Sequence, residues 1–340
     1  MIQIRVSIAR AQKLRGTASS FGFTLIELMV SMAIFLVIGG AAMSLFSQHA
    51  KLFNDQQGTV GLNITLRNAL SQIENDTVVA GNGFSGSLSN TPTGITITNN
   101  AGAFDSFYII QANAPAAALD PASACANTSV GSATLAPNAA VTAGQFPANT
   151  EVLFMNGGGN QMTIAKLTGS ALVAGKVNLT YGTTDGLGKN GNVNDIFGLT
   201  WNLPPPTDPD QLSATFCGSN GDYVVPLSWV QYFVDAQNRL VRQNSGNPGN
   251  LDFIADQIIG FKVGAATFQS TGGSTSSPSY NFDSTTYHPN LIRSVRVSII
   301  GRTSPNKYSG TNFRNTFDGQ NYKIQSLSLV INPRNLSMND

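Results

Sequence analysis

The stretch RGTASSFGFTLIELMVSMAIFLVIGG, residues 15–40, contains one acidic side chain, Glu27, within an otherwise apolar run. That run extends from Phe23 to Phe46. As an α-helix it would measure about 36 Å, which is enough to cross a hydrocarbon core of ~30 Å. Ionisable side chains are costly inside such a segment and are usually kept for a function. Glu27 is therefore the first candidate functional residue.

The residues before this run are basic. Positions 1–22 contain no acidic residue and four basic ones: Arg5, Arg10, Lys13 and Arg15. Basic residues favour the cytoplasmic side of a membrane, so we expect residues 1–22 in the cytoplasm and the rest of the chain outside. A secretory signal peptide has a shorter apolar region followed by a small-residue cleavage site. Here the candidate cleavage residue, Gly22, precedes the apolar run.

The segment GFTLIELMVSMAIF, residues 22–35, resembles the class III signal of type IV pilins and type II secretion pseudopilins. In that family a membrane-embedded aspartyl peptidase cuts after the glycine and methylates the new N-terminal amine. The resemblance implies that Gly22 ends the leader, that Phe23 is the methylated first residue, and that Glu27 is the family's glutamate at mature position five. The leader differs from many others in that its last basic residue, Arg15, is not adjacent to Gly22.

Glu27 has a physical role that is independent of this resemblance. A new α-amine on Phe23 would be a cation at the edge of an apolar phase, and Glu27 of a neighbouring helix could neutralise it. Each charge alone costs roughly 3 kcal/mol near the membrane centre, so pairing favours the docking of one subunit beside another. We therefore predict that Glu27 is an assembly residue. The alternative is an ordinary signal anchor with one tolerated acid near the interface.

Helical spacing continues beyond the apolar run and then changes to a strand pattern. One apolar stripe consists of Leu62, Leu66, Ala69, Leu70 and Ile73, and the pattern stops at Gly81-Asn82-Gly83. After residue 83 ten segments alternate with the period of β-strands. Among them, WVQYFVDAQNRLVRQ predicts a hairpin that turns at residues 235–238. The predicted fold class is α+β, with one long N-terminal helix packed on an antiparallel β-sheet.

These patterns give a provisional division of the chain. We expect a leader over residues 1–22, a transmembrane or filament-core helix over 23–46 and an amphipathic continuation over 47–82. An extracytoplasmic β-rich domain follows over 83–340. Within it, the composition of residues 112–150 and 202–222 predicts two surface loop inserts.

Composition favours a secreted or surface protein, because only 11% of residues are charged whereas an average soluble protein has about 25%. The two cysteines, Cys125 and Cys217, form no CxxC or Cys/His cluster, which argues against a zinc or redox site. In an oxidising compartment they would form one disulfide that joins the two inserts. Two unpaired thiols are the alternative.

No pattern indicates an enzyme, a cofactor or a metal. The only histidines are His49 and His288, and no nucleophile-elbow motif is present. The stretch DGLGKNGNVND, residues 185–195, loosely resembles a calcium loop but lacks the EF-hand spacing and its closing glutamate, so an Asn/Gly turn is preferred. We therefore predict no catalytic residue, no metal ligand and no cofactor.

The C-terminal third is basic. The residues concerned are Arg293, Arg296, Arg302, Lys307, Arg314, Lys323 and Arg334. Binding of nucleic acid or an anionic surface is one interpretation. Solubility and complementarity to acidic neighbouring subunits is the preferred one, because aromatic residues are not interleaved on a nucleic-acid fold.

Five further segments are similar to landmarks of PilW-type minor pilins, which are related to the J-type minor pseudopilins: IENDTVVAGNG, WVQYFVDAQNRLVRQ, IIGFKVGA, SVRVSIIGRT and INPRNL. The resemblance implies a minor pilin that initiates or caps a type IV pilus. It implies prepilin peptidase, other minor and major pilins and the inner-membrane assembly platform as partners. The location would be the inner membrane, single-pass, and then the pilus. A minor pseudopilin of type II secretion, or a membrane-anchored extracytoplasmic ligand-binding protein, are the alternatives.

Overall fold

The structure is a computed structural model. It describes residues 24–83, 94–126, 131–138, 140–158, 161–181, 201–202, 215–246, 249–269, 275–276, 292–303 and 319–334. By its internal contacts the chain divides into two compact units, Met1–Asn54 and Asp55–Asp340.

Helix α1, Leu25–Val78, is continuous over 54 residues. Its end follows from the local sequence, because Gly81 and Gly83 have φ angles of 71° and 81°. In this left-handed region glycine is strongly preferred at helix C-termini. The long N-terminal helix expected from the apolar spacing is confirmed.

The first sheet contains eleven of the described strands. They are β1 (Ile95–Thr98), β2 (Ser106–Ala112), β3 (Ala117–Ala118), β4 (Ser132–Thr134), β5 (Glu151–Met155), β6 (Gln161–Val173), β7 (Lys176–Tyr181), β8 (Trp201–Asn202), β9 (Tyr223–Val234), β10 (Leu240–Asn244) and β11 (Leu251–Ala255). The main order is β1-β2-β9-β5-β6-β7-β4, and every paired strand is antiparallel.

Strand β9 is shared by two neighbours on one edge. Its first residues pair with β5, from Tyr223 to Pro226, whereas its last residues pair with β10, from Val230 to Val234. The β9–β10 hairpin turns at residues 235–238 as predicted, and Asn238 adopts a positive φ of 59° there. The sheet therefore divides along this edge of β9 between Pro226 and Val230.

The second sheet has four described strands in the order β13-β12-β14-β15. They are β12 (Ile258–Gln269), β13 (Thr275–Ser276), β14 (Ile292–Arg302) and β15 (Ile324–Ile331). Asp105 links the first sheet to this one. Its Oδ2 accepts the Val263 amide at 3.0 Å, its Oδ1 accepts Lys262 Nζ at 2.9 Å, and its own amide donates to the Phe261 carbonyl at 2.8 Å. The α+β class predicted from sequence is confirmed.

The C-terminal part of α1 packs on these sheets through the predicted apolar stripe. All five stripe residues are buried in one core with side chains of both sheets. At Gly301 of β14 the approach is closest, because an added Cβ would lie 2.8 Å from Leu62 Cδ1 and 3.1 Å from Leu66 Cδ2. Burying each large apolar side chain stabilises the fold by about 1.5–3 kcal/mol.

Residues 112–150 were expected to be a surface loop, but their described parts, 112–126, 131–138 and 140–150, include strands and buried side chains. They contribute β3 and β4, and their side chains Leu119, Leu135 and Phe146 are buried. These pack in a second core with residues of β5, β6, β7 and β9. These short strands could not be predicted from the sequence, because segments of Ala, Ser and Thr show little apolar periodicity.

Cys125 and Cys217 form a disulfide that joins this segment to the chain before β9. An antiparallel bridge lies beside it, in which Ala126 and Phe216 exchange two amide–carbonyl hydrogen bonds of 2.8 Å. Directly after Cys217, the backbone of Gly218 lies against residues 119–120. An added Cβ there would stand 2.3 Å from the Leu119 carbonyl oxygen, so only glycine fits.

We predict that Gly218→Ala lowers the free energy of unfolding by about 1–3 kcal/mol, because the clash is with backbone and forces this junction apart. The measurement is urea unfolding of the full chain in detergent, under oxidising conditions that keep the disulfide. Gly102→Ala is the matched control, since no atom lies within 4 Å of a Cβ added there. Equal stabilities of the two variants would contradict the assigned packing.

Candidate assembly site on the N-terminal helix

The first turn of α1 is closed by a capping box between Thr24 and Glu27. Glu27 Oε2 accepts the Thr24 amide at 2.9 Å and the Thr24 hydroxyl at 3.0 Å. The Glu27 amide donates to Thr24 Oγ1 at 3.3 Å. This reciprocal arrangement satisfies backbone donors that have no partner within the helix. Within the part of the chain that the structure describes, Glu27 Oε1 accepts no hydrogen bond.

The helix that follows presents apolar side chains to its surroundings. Between residues 25 and 53 its large apolar residues are all more than half exposed, for example Phe35 at 74% and Met43 at 75%. The helix is long and apolar enough to cross a membrane. Exposed apolar surface of this extent marks a membrane or protein interaction site.

Near its C-terminal end α1 is joined to the first sheet by a polar cluster of Asp76, Tyr232 and Arg242. Asp76 Oδ2 accepts the Tyr232 hydroxyl at 2.6 Å and Arg242 Nε at 2.7 Å. Arg242 Nη1 also reaches Asp252 Oδ2 at 3.2 Å. Burial, together with the hydrogen bond to Asp76, raises the pKa of Tyr232 well above its ordinary value. The phenol therefore stays protonated and remains a donor.

None of these three residues was predicted from the sequence. The predicted hairpin does imply that two of them are close together, because a turn at 235–238 places Tyr232 opposite Arg242, as in the register that the structure shows. The third partner is 156 positions from Tyr232 along the chain. A contact at that separation has no local sequence pattern.

A second charged contact stabilises the segment that the disulfide tethers. Asp120, only 5% exposed, accepts Lys176 Nζ of β7 at 2.6 Å and also accepts the Ser123 hydroxyl. The hydrogen bond from Lys176, and then that from Ser123, holds the pKa of Asp120 below its usual value. Because the lower pKa favours the carboxylate, this contact contributes to folding where Asp120 is ionised.

The structure places the predicted site residues as follows. Glu27 lies in the first turn of α1, and Cys125 is bonded to Cys217. Gly22 and Phe23 lie outside the described residues, as do His288 and residues 185–195. His49 is exposed on α1. Across the described ranges, no three His, Cys, Asp or Glu side chains group as metal ligands do.

The predicted basic set is partly engaged in internal contacts. Arg302 Nε donates to Gln257 Oε1 at 2.9 Å, and its guanidinium lies 5.0 Å from the centre of the Tyr322 ring. Arg293 Nη1 donates to the Ile292 carbonyl at 3.1 Å. Lys307 and Arg314 lie outside the described residues. These contacts favour a structural use of Arg302 and Arg293.

We predict that Asp76→Ala lowers the free energy of unfolding by about 1–3 kcal/mol, because Arg242 and the Tyr232 hydroxyl then lose a partly buried partner. Glu74→Ala is the matched control, being an exposed acid two positions away on the same helix. Urea unfolding of the full chain measures both. Tyr232→Phe combined with Asp76→Ala should cost less than the sum of the single changes, and strict additivity would contradict a shared cluster.

We also predict that Asp120 contributes a pH-dependent stabilisation. Its folded-state pKa is lowered from an unfolded value of ~3.9. The contribution is therefore complete above about pH 4–5 and is lost as the pH falls through the folded-state pKa. The melting temperatures of wild type and Asp120→Asn should differ at pH 7 and converge in acid. A difference that is constant between those conditions would exclude this linkage, and Lys176→Met should reduce it at pH 7.

The family comparison identifies a prokaryotic N-terminal methylation motif at residues 18–43. No curated protein and no solved structure shows significant similarity to the chain. The motif therefore covers the predicted cleavage residues, the capping box and the first part of the exposed apolar helix. Together with that helix it supports a type IV pilin-like protein, a pilin or a pseudopilin, acting as a structural subunit anchored in a membrane.

Proposed function

We propose that this chain is a minor pilin that takes part in initiating or capping a type IV pilus after cleavage between Gly22 and Phe23. The observation that carries the proposal is the methylation motif at residues 18–43 on a helix whose apolar surface is exposed. A β-rich domain follows that helix. The resemblance of five short segments, in order along the chain, to landmarks of PilW-type minor pilins supports the minor role.

Glu27 acts in docking through its charge. Cleavage after Gly22 creates an amine on Phe23, the residue next to the capping Thr24. Within the described residues, Oε2 of Glu27 is used by its own helix and Oε1 is not. Oε1 of one subunit can therefore accept the Phe23 amine of a neighbour without loss of the cap. Opposite charges that meet in an apolar phase are stabilised because each alone is costly there.

The proposed partners follow from this role. Prepilin peptidase processes the leader, other minor and major pilins pack against the helix, and the inner-membrane platform moves the subunit into the filament. Residues 1–22 are cytoplasmic and the β-rich domain is extracytoplasmic. The Cys125–Cys217 disulfide supports that location, because such bonds persist in oxidising compartments.

The test is peptide mass spectrometry of the N-terminus, from membranes and from sheared surface fibres separately. We expect N-methylated Phe23 in both fractions, at low abundance in fibres. Processed chain confined to membranes, with exoprotein secretion lost on gene deletion, would favour the minor pseudopilin instead. A leader that remains intact would exclude both and leave a membrane-anchored ligand-binding protein.

The role of Glu27 is tested in the same fractions with Glu27→Gln. Glutamine can replace glutamate in a capping box, so the helix start is kept while the charge is removed. We expect normal cleavage and a loss of the chain from fibres of at least about tenfold, corresponding to ~1.4 kcal/mol. Glu74→Gln, an exposed acid further along α1, is the control. Equal incorporation of both variants would contradict the charge-pairing role.

A further inference from the structure

A cleft of about 190 Å³ lies at the C-terminal end of α1, against the face of the first sheet. The pairing of β2 with β9 forms its floor, with Ile109 opposite Val230 and Gln111 opposite Ser228. Asp76 and Val79 line it from the helix end. The volume corresponds to about six water molecules and is smaller than the roughly 300–1,000 Å³ of sites for drug-sized ligands. It suits one small ring or side chain.

One wall of the cleft is a guanidinium held in a fixed orientation. Arg242 Nε is bonded to Asp76 at 2.7 Å and its Nη1 to Asp252 at 3.2 Å. The guanidinium also interacts with the Tyr232 hydroxyl. These three contacts orient Arg242, and because a guanidinium has five N–H donors it can still donate to a ligand.

Uncharged polar side chains line the remainder. The Gln111 amide and the Ser228 hydroxyl lie side by side on the floor and form no side-chain hydrogen bond within the described ranges. Ser245 Oγ accepts the Trp229 amide at 3.1 Å and can still donate its proton. The cleft therefore offers both donors and acceptors at short spacing.

The local charges exclude some ligand classes. Arg242 is flanked by two carboxylates, Asp76 and Asp252, so the region is slightly acidic and does not favour an anion. Asp76 accepts two strong hydrogen bonds and is not available to a cation. The apolar side chains Val79 and Val230 complete the lining, with Val79 41% exposed and Val230 partly buried, whereas Ile109 beneath them is only 2% exposed. A neutral ligand with hydroxyls on its edge and C–H groups on its face matches this surface.

We propose that this cleft binds a neutral, hydroxyl-rich ligand of monosaccharide size. Ligand hydroxyls exchange hydrogen bonds with Gln111 and Ser228 and accept from the Arg242 guanidinium. The C–H face of the ring packs on Val79 and Val230. This site would give the subunit a recognition function that is separate from its assembly through α1.

The test is isothermal titration calorimetry. Tryptophan fluorescence is unsuitable, because the indole of Trp229 lies on the opposite face of the sheet from the cleft floor, where its Nε1 donates to Glu151. The full chain in nanodiscs is titrated with glucose, galactose, mannose, N-acetylglucosamine and N-acetylgalactosamine, and with glucuronate as the anionic comparison. We expect at least one neutral sugar to give a saturable binding heat and glucuronate to give a weaker one.

The matched variants are Gln111→Leu in the cleft and Gln325→Leu on β15. We expect Gln111→Leu to weaken binding about tenfold, equivalent to ~1.4 kcal/mol, and Gln325→Leu to leave it unchanged. Far-ultraviolet circular dichroism and melting temperature confirm that each variant is folded. Ser228→Val provides a second, smaller change at the cleft floor in case Gln111→Leu does not fold.

Three results would overturn the proposal: no saturable binding heat with any neutral sugar, preferential binding of glucuronate, or equal binding by the Gln111→Leu and Gln325→Leu variants. None depends on leader cleavage or on filament assembly. Failure of sugar binding would therefore leave the minor pilin proposal intact, and the converse holds as well.

Discussion

The close contact between α1 and β14 is the constraint on which the β-rich unit depends. Leu62 and Leu66 reach the sheet at Gly301, where a Cβ would stand within about 3 Å of their methyl groups. The stripe that begins there continues to Ile73 and joins side chains of both sheets in one core. Without this helix, residues of β1, β2, β12 and β14 would lose a common apolar partner, since each sheet needs another layer to bury its inner face.

Apolar burial alone does not determine how the helix is rotated or how far it slides, because it is non-directional. The hydrogen bonds of the Asp76 cluster are directional and fix the rotation and position of α1 against the first sheet. One carboxylate oxygen accepts both a phenol and a guanidinium from adjacent strands, and this geometry is lost if α1 turns by one residue. The cluster also sets the end of the helix beside the cleft, so a structural contact forms one wall of the proposed binding site.

The sequence predicted features that depend on near neighbours. The stripe from Leu62 to Ile73, the helix end near Gly81, the β9–β10 turn and the methylation motif all follow from patterns within a few residues. A strict alternation over residues 291–299 of the sequence would place Arg293 on the same face as Val295 in β14. The structure buries Ile292 instead, because the register with β12 shifts between Ala266 and Thr267. A bulge of this kind depends on the partner strand and not on the sequence of β14.

Long-range features were not predictable for the same reason. The packing of the described residues between 112 and 150 depends on contacts of Leu135 and Phe146 with the core formed by β5 and β7, whereas the composition of this segment is that of a loop. The cysteine pair could be expected from compartment and count, but not the backbone bridge beside it or the need for glycine at 218. In the candidate assembly site, Glu27 was found through its motif, whereas its hydrogen bonds to Thr24 became visible only in the structure.

Those hydrogen bonds lower the cost of placing the Glu27 carboxylate in an apolar helix. Before another subunit binds, the carboxylate already accepts hydrogen bonds from the first turn of its own helix. The positive end of the helix dipole also favours an anion at this point. Under the proposed function, assembly therefore adds a cation to an oxygen that the cap leaves open and does not exchange one partner for another. The energy of docking is then gained without unwinding the start of α1, which allows one residue to begin the helix and to join subunits.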